Sequence, residues 1–195
     1  MKSKIIKVKT KSKNYEVHIG PDLISNLNLI LKKKKIIFSK CLIVIDNKIP
    51  KKFIKLIIKN FKGRKFYTLS FNANEKNKNY LSINKIHNAL FNKNFYRDDC
   101  VISFGGGITG DVVGYAASTF KRGIKFINIP STLLAQVDSS IGGKTGINNK
   151  FGKNLVGSFY QPDLVISDIN LLNSLPKREI ICGYAEILKS SLIDS

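Results

Sequence analysis

The chain has 195 residues, 43% of them hydrophobic and 24% charged, a composition typical of a globular domain with a sizeable core. No apolar run approaches the ~20 residues that a membrane helix needs. The basic N-terminus contains no apolar stretch of the kind found in signal peptides, so we expect a cytoplasmic protein. The three cysteines form no CxxC pair, and we expect them to be free thiols.

The net charge is +20, from 33 Lys and Arg against 13 Asp and Glu. Such a charge is compatible with binding to nucleic acid or to an anionic membrane. However, four basic residues are Arg, and 22 of the 29 Lys precede residue 100, scattered among Asn and Ile. Nucleic-acid-binding surfaces usually combine Arg with exposed aromatic side chains. We interpret the charge as compositional bias and expect neither nucleic acid nor membrane as a partner.

Apolar and polar residues alternate over residues 4–10 and 14–20, which predicts an N-terminal β-hairpin. Further along, short apolar runs alternate with segments of helical spacing. They predict strands at 41–46, 65–71, 100–104, 124–130 and 163–168, and helices at 21–35, 48–60, 80–93, 105–120, 131–140 and 175–193. Alternating strands and helices indicate an α/β fold, with a Rossmann-like, mostly parallel sheet covered by helices on both faces.

Gly105, Gly107 and Gly110 form a G-x-G-x-x-G pattern between a predicted strand and a predicted helix. Such glycines let backbone N–H groups approach a pyrophosphate at a helix N-terminus, or they simply allow a tight turn. The usual dinucleotide-binding fold has an acid at the end of the next strand, but residues 124–130 end without one. Asp111 follows the turn, either as a helix cap or as a group that holds a ligand hydroxyl.

Residues 140–162 are rich in Gly, Asn and Lys, and we predict a long loop there. Loops of this length are usually functional or disordered. Lys144 and Lys153 lie beside glycines, which suits phosphate or carboxylate binding, although a solvated surface loop has the same composition. No glycine lies five residues before Lys144, so this segment is not a P-loop.

Two long segments resemble 3-dehydroquinate synthases: "GGGITGDVVGYAASTFKRGIKFINIPSTLLAQVDSSIGGKTGINNKFGKNLVGSFYQPDLVISD" and "LPKREIICGYAEILK". The resemblance is dense over residues 101–193 and looser before them. It implies an NAD-binding α/β domain at 1–174, followed at 175–195 by the first helix of an all-helical C-terminal domain.

The resemblance also implies a carbon–oxygen lyase of the shikimate pathway. Its substrate would be the sugar phosphate 3-deoxy-D-arabino-heptulosonate 7-phosphate, and its products 3-dehydroquinate and phosphate. NAD would oxidise a hydroxyl transiently, zinc or cobalt would polarise oxygen atoms, and the full-length enzyme would be a homodimer.

Carried over position by position, the resemblance assigns roles to three groups of residues. The metal ligand is Glu186. The catalytic and substrate-contacting residues are Asp138, Lys144, Asn154, Lys189 and Arg122, the last one for a neighbouring subunit's substrate phosphate. The cofactor-binding residues are Asp46, Glu75, Lys78, Gly106, Gly107, Ile108, Thr109, Gly110, Asp111, Ser131, Thr132, Lys144, Lys153, Leu171, Leu172, Asn173 and Ser174.

The chain departs from the family pattern at a few positions. Asn74 stands where Gly is usual, and both residues tolerate a positive φ. Ser131 replaces the first Thr of a Thr-Thr pair and keeps the hydroxyl. Neither His18 nor His87 matches one of the family's two zinc-binding histidines. We therefore expect an incomplete metal site and an inactive chain, in which Glu186 and Lys189 could also form a plain salt bridge.

Other functions remain open from the sequence alone. The chain could belong to a related sugar-phosphate cyclase or to a metal-dependent alcohol or glycerol dehydrogenase. It could also be a non-catalytic remnant that binds NAD, or a basic protein that binds nucleic acid.

Overall fold

The structure, a computed structural model, describes residues 3–193. The two predicted domain ranges extend beyond the described residues at positions 1, 2, 194 and 195. The strands are β1 (Lys4–Val8), β2 (Tyr15–Gly20), β3 (Lys40–Asp46), β4 (Lys65–Phe71), β5 (Cys100–Gly105), β6 (Lys125–Pro130), β7 (Lys144–Asn149), β8 (Gly152–Phe159) and β9 (Leu164–Asp168). The α-helices are α1 (Leu27–Lys33), α2 (Lys51–Lys59), α3 (Tyr80–Asn92), α4 (Gly107–Thr119) and α5 (Lys177–Ile193).

Seven strands form one sheet in the order β1-β2-β9-β6-β5-β3-β4. The pair β1–β2 is antiparallel and all other neighbours are parallel. The predicted N-terminal hairpin and the mostly parallel Rossmann-like sheet are therefore confirmed. None of the helices in the described range is long and apolar enough to cross a membrane.

The alternation of side chains along β3 divides the core into two layers. Cys41, Ile43 and Ile45 belong to the layer that is covered by α1 and α2. Leu42 and Val44 belong to the layer on the other face, which is covered by α3 and α4. All of these strand residues are buried, which explains why β3 is a nearly continuous apolar run and could be predicted from the sequence.

The carboxyl ends of the parallel strands meet at one edge of the sheet. β3 and β5 are neighbours there, but α2 leaves β3 for one face and α4 leaves β5 for the other. In open α/β sheets a crevice forms where the chain departs to opposite faces, and ligands bind in it. This topology puts Asp46, at the end of β3, beside the glycine turn after β5.

Two predicted helices are shorter than expected. The first begins at Leu27, and the start of its predicted range contains Asp22 with a φ of 58°, a left-handed conformation that an α-helix does not contain. The helix predicted at 131–140 is a short segment with a π-helical turn at Ala135–Ser139.

The prediction of a long loop at 140–162 is wrong. Most of this segment forms the antiparallel hairpin β7–β8, which is separate from the main sheet. It packs on α4, where Gly114 leaves space for Thr145 and Ile147 enters the second core layer.

Candidate active-site cleft

The glycine turn forms the floor of a cleft at the carboxyl edge of the sheet. Gly106 precedes α4 in an extended conformation, and within the described residues no side chain caps this helix end. A Cβ added at Gly107 would lie 2.9 Å from Ser139 Oγ, and one at Gly106 would lie 3.2 Å from Thr132 Cγ2. The two glycines thus keep the approach to the first N–H groups of α4 clear, which suits an anion.

Asp46 is an acidic residue close to the glycine turn. The usual dinucleotide-binding fold has such an acid at the end of the strand that follows the turn, where this chain has none. Asp46 ends β3, which lies beside β5 in the sheet but precedes it in the chain. The side chain is buried, and its Oδ1 accepts a hydrogen bond from the Lys48 N–H at 3.1 Å. Burial raises the pKa of Asp46, and the hydrogen bond from Lys48 only partly opposes it.

Asp111 does not cap α4, because it lies in the second turn of that helix. Its Oδ2 is 2.5 Å from the ammonium of Lys78, which also donates to Asn154 Oδ1 at 2.5 Å. Lys78 is 5% exposed. Burial raises the pKa of Asp111, and the Lys78 cation partly offsets this effect. The ion pair ties the turn after β4 to α4 and to the hairpin β7–β8.

The cleft has a volume of about 700 Å³, within the range of small-molecule and cofactor sites. Its walls bring together many of the predicted site residues: Asp46, Glu75, Gly106, Gly107, Ile108, Asp111, Ser131, Thr132, Asp138, Leu171 and Ser174. Ser131 is anchored there by its N–H, which donates to the carbonyl of Gly105 at 2.9 Å.

Other predicted residues lie near the cleft without lining it. Thr109 is fully buried under the turn, and its hydroxyl has no hydrogen-bond partner among the described residues. Gly110 and Lys144 line a smaller cavity behind the turn. Lys153 is exposed, 3.8 Å from Glu75. Leu172 and Asn173 belong to the 3₁₀ segment that also holds Leu171 and Ser174.

Asn74 has a φ of −153°, so the explanation that it tolerates a positive φ is wrong. Its side chain instead accepts from the Asn77 N–H at 3.0 Å and caps the short turn that carries Glu75.

Arg122 lies away from the cleft. It follows the C-terminal end of α4, and the 13 residues of this helix span about 20 Å between it and the glycine turn. There it lines a surface pocket with Arg97 and Lys125. The structure therefore does not bring Arg122 together with the other predicted site residues of its own chain.

Glu186 and Lys189 lie on α5 and form an ion pair with each other. The Glu186 partner raises the pKa of Lys189. Among residues 3–193, no three His, Cys, Asp or Glu side chains are grouped so that they could hold a metal ion. His18 binds Glu16, and His87 contacts the Ala116 carbonyl and Thr119.

Comparison with known proteins agrees with this geometry. A family described as "3-dehydroquinate synthase N-terminal" matches residues 68–182, which include the turn after β4, the glycine turn and the hairpin. The chain belongs to the 3-dehydroquinate synthase family. It is 60% identical to the 3-dehydroquinate synthase of Pelagibacter ubique (strain HTCC1062) over 189 residues, which cover 97% of this chain and 51% of that protein. It thus spans about half the length of the curated relatives that it matches.

Solved structures of related enzymes share the fold. A 2-deoxy-scyllo-inosose synthase, complexed with carbaglucose-6-phosphate, NAD⁺ and Co²⁺, superposes with a TM-score of 0.88 at 25% identity and covers 95% of this chain and 50% of its own. The 2-epi-5-epi-valiolone synthase of Streptomyces hygroscopicus subsp. jinggangensis 5008, with bound NAD⁺ and Zn²⁺, superposes with a TM-score of 0.81 at 30% identity. The match covers 93% of this chain and 50% of that one.

Sequence reasoning missed several cleft residues of this family member. Ile49, Pro50 and Ala73 line the cleft just beyond the ends of β3 and β4. Only the order of strands in the sheet would have pointed to them, because the strands that flank a crevice supply its walls from the segments that follow them.

Proposed function

We propose that this chain forms the NAD-binding half of a 3-dehydroquinate synthase. The enzyme would convert 3-deoxy-D-arabino-heptulosonate 7-phosphate to 3-dehydroquinate and phosphate in the shikimate pathway. The observation that carries the proposal is the cleft between β3 and β5, where Asp46 lies beside the open glycine turn. The 60% identity to a synthase supports this reaction more strongly than the 25–30% identities to the other cyclases.

The cleft residues fit NAD. The N–H groups at the start of α4 can bind a pyrophosphate because Gly106 and Gly107 have no Cβ in the way. The carboxylates of Asp46 and Glu75 can accept hydrogen bonds from ribose hydroxyls. When bound, NAD supplies a hydride acceptor that returns the hydride before the reaction ends.

The remaining proposed residues lie in or near the cleft, except Arg122. Lys144 and Lys153 provide mobile cations for the phosphate and carboxylate groups of the sugar phosphate. Asn154 is held by Lys78 at the rim of the hairpin, and Asp138 lines the cleft. Lys78, which is buried against Asp111, holds the proposed cofactor side in place and is not available as a mobile charge. Arg122 would act in a neighbouring subunit, since it lies at the other end of α4 from the cleft of its own chain.

The described residues do not fit a complete metal site. A catalytic zinc needs three protein ligands, and Glu186 is paired with Lys189, with no group of three ligands around it in residues 3–193. Glu186 is proposed as one ligand only, and we derive no step of the reaction through zinc or cobalt. We also propose the domain division at residue 174, a homodimer and a cytoplasmic location.

A chimera tests the proposal. We would join this chain to the second half of the Pelagibacter ubique relative and assay phosphate release from the heptulosonate phosphate with NAD⁺ and Zn²⁺. We expect no turnover from the 195-residue chain, turnover from the chimera, and its loss in a Glu186→Gln chimera. A chimera that folds and binds NAD⁺ but releases no phosphate would favour the non-catalytic remnant. Turnover of another sugar phosphate would favour a related cyclase.

A further inference from the structure

Asn148, on β7, makes hydrogen bonds to two other segments beside the cleft, the turn after β4 and the strand β8. Its Nδ2 donates to Glu75 Oε2 at 2.8 Å, and its Oδ1 accepts from the Asn154 N–H at 2.9 Å. Its own N–H donates to the carbonyl of Lys78 at 2.8 Å. One side chain and its backbone therefore connect the turn after β4 with the far side of the hairpin β7–β8.

Asn148 lies opposite a β-bulge of β8 that contains its partner Asn154. In the hairpin, Ile147 pairs with Val156 and Asn149 pairs with Gly152, with a shift of register between them. Between these pairs, Asn148 of β7 stands opposite three residues of β8, 153–155, so the extra residues lie on β8, and the Asn148 N–H bonds outside the hairpin to Lys78. Bulges of this kind redirect a side chain and are frequent beside active sites.

The orientation of the Asn148 amide follows from its partners. The backbone N–H of Asn154 can only donate, so it must face Oδ1, and the NH₂ group must then face the Glu75 carboxylate. The Glu75 side chain is 52% exposed, and its nearest cation, Lys153 at 3.8 Å, is 72% exposed. Asn148, partly buried and 2.8 Å from the Glu75 carboxylate, is the closer and less exposed of these two partners.

Asn154 is also held by Asn148 through a hydrogen bond. It has a φ of 58°, a left-handed conformation that costs free energy for residues other than glycine. The bond from its N–H to Asn148 stabilises this conformation, in which Asn154 Oδ1 accepts from Lys78 at 2.5 Å. Two proposed site residues, Glu75 and Asn154, thus share Asn148 as a support.

We propose that Asn148 is a positioning residue, which holds the Glu75 carboxylate in the orientation that the cofactor requires and fixes Asn154 at the rim. The inference rests on the proposed function, because it concerns NAD. Asn148 does not line the main cleft, and it acts on the ligand through its two partners.

A double-mutant cycle on the 195-residue chain tests this role. Calorimetric NAD⁺ titrations would compare the wild type, Asn148→Ala, Glu75→Ala and the double variant. Loss of one hydrogen bond to a charged group weakens binding about tenfold. We expect that loss for Asn148→Ala in the wild-type background and about twofold or less in the Glu75→Ala background, because the carboxylate it orients is then absent.

Asn149→Ala is the matched control. Asn149 is the next residue of β7, and its Oδ1 accepts from the Phe151 N–H at 2.8 Å, within the hairpin turn. We expect this variant to keep NAD⁺ affinity. Equal losses from Asn148→Ala in both Glu75 backgrounds, or the same loss in Asn149→Ala, would overturn the positioning role while leaving the proposed function intact. Absence of NAD⁺ binding by the wild-type chain would reject both.

Discussion

The two helices that carry proposed site residues differ in how much of them the chain itself buries. Of the 13 residues of α4, six are buried: Thr109, Val112, Val113, Gly114, Ala116 and Ala117. Among the 17 residues of α5, the structure describes one as buried, Gly183, where an added Cβ would lie 2.5 Å from Leu133 Cγ. The proposed cofactor side is therefore fixed by this chain's own core, whereas Glu186 and Lys189 lie on a helix that the chain buries little.

A test of stability should show the largest contrast. Ile102, on β5 in the core layer covered by α1 and α2, is fully buried, and Ile102→Ala is expected to cost about 2–5 kcal/mol of unfolding free energy because it leaves a cavity. Leu188 on α5 is 56% exposed, and Leu188→Ala is expected to change stability by less than about 0.5 kcal/mol. Urea unfolding of both variants measures the difference, and similar losses would show that α5 is integrated into the core.

The next contrast concerns ligand binding. Gly107→Val places a branched side chain at the start of α4, where even a Cβ would approach Ser139. NAD⁺ affinity should fall by about 30-fold or more, roughly 2 kcal/mol, without a comparable loss of stability. The control variant is Cys182→Val, at an exposed position of α5. It should leave the NAD⁺ affinity unchanged. Undiminished binding by Gly107→Val would place the ligand elsewhere.

A smaller effect is expected at the ion pair between Lys78 and Asp111. Lys78→Met leaves the partly buried carboxylate of Asp111 without its cation, which we expect to cost about 2 kcal/mol at pH 7. It should also raise the pKa of Asp111 further, since burial already raises it and the opposing cation is lost.

The sign of the pH dependence follows from that shift. A carboxyl whose pKa is higher in the folded than in the unfolded protein destabilises the fold when ionised, and this cost disappears as the pH falls toward the unfolded value of ~3.9. The stability deficit of Lys78→Met should therefore shrink between pH 7 and pH 4. Chemical denaturation at both pH values checks this, and a deficit that grows on acidification would contradict it.

The smallest effect is expected on α5. Lys189→Met removes the partner of Glu186, but Lys189 is solvent-exposed, and exposed pairs contribute little to stability. Thermal unfolding should be unchanged within error in the 195-residue chain. In the active chimera, the same variant should lower phosphate release because Lys189 is proposed to contact the substrate. A stability loss in the isolated chain would show that the ion pair is structural.

How much could be predicted from sequence also differs between regions. The buried parallel strands were predicted almost to the residue, because β3 and β5 are continuous apolar runs that only a covered sheet accommodates. The hairpin β7–β8 was missed because glycine, asparagine and lysine have low strand propensity. Its pairing and its packing on α4 through Thr145 and Ile147 override that propensity.

The candidate site shows the same difference between features that local sequence patterns predict and features that depend on the fold. The glycine turn is a local pattern and was found from the residues alone. The role of Asp46 as its neighbouring acid depends on the order of strands in the sheet, which differs from their order in the chain. Asn148 lies opposite a β-bulge of β8, and no local sequence pattern predicts a shift of register that depends on the partner strand.

The most direct test of the account is a calorimetric titration of the 195-residue chain with NAD⁺, without metal and without substrate. The account predicts saturable binding at one site per chain, because the cleft that holds Asp46 and the glycine turn is formed by the described core and its adjoining turns. Absence of binding at millimolar NAD⁺ by a chain that is folded and unfolds cooperatively would contradict it.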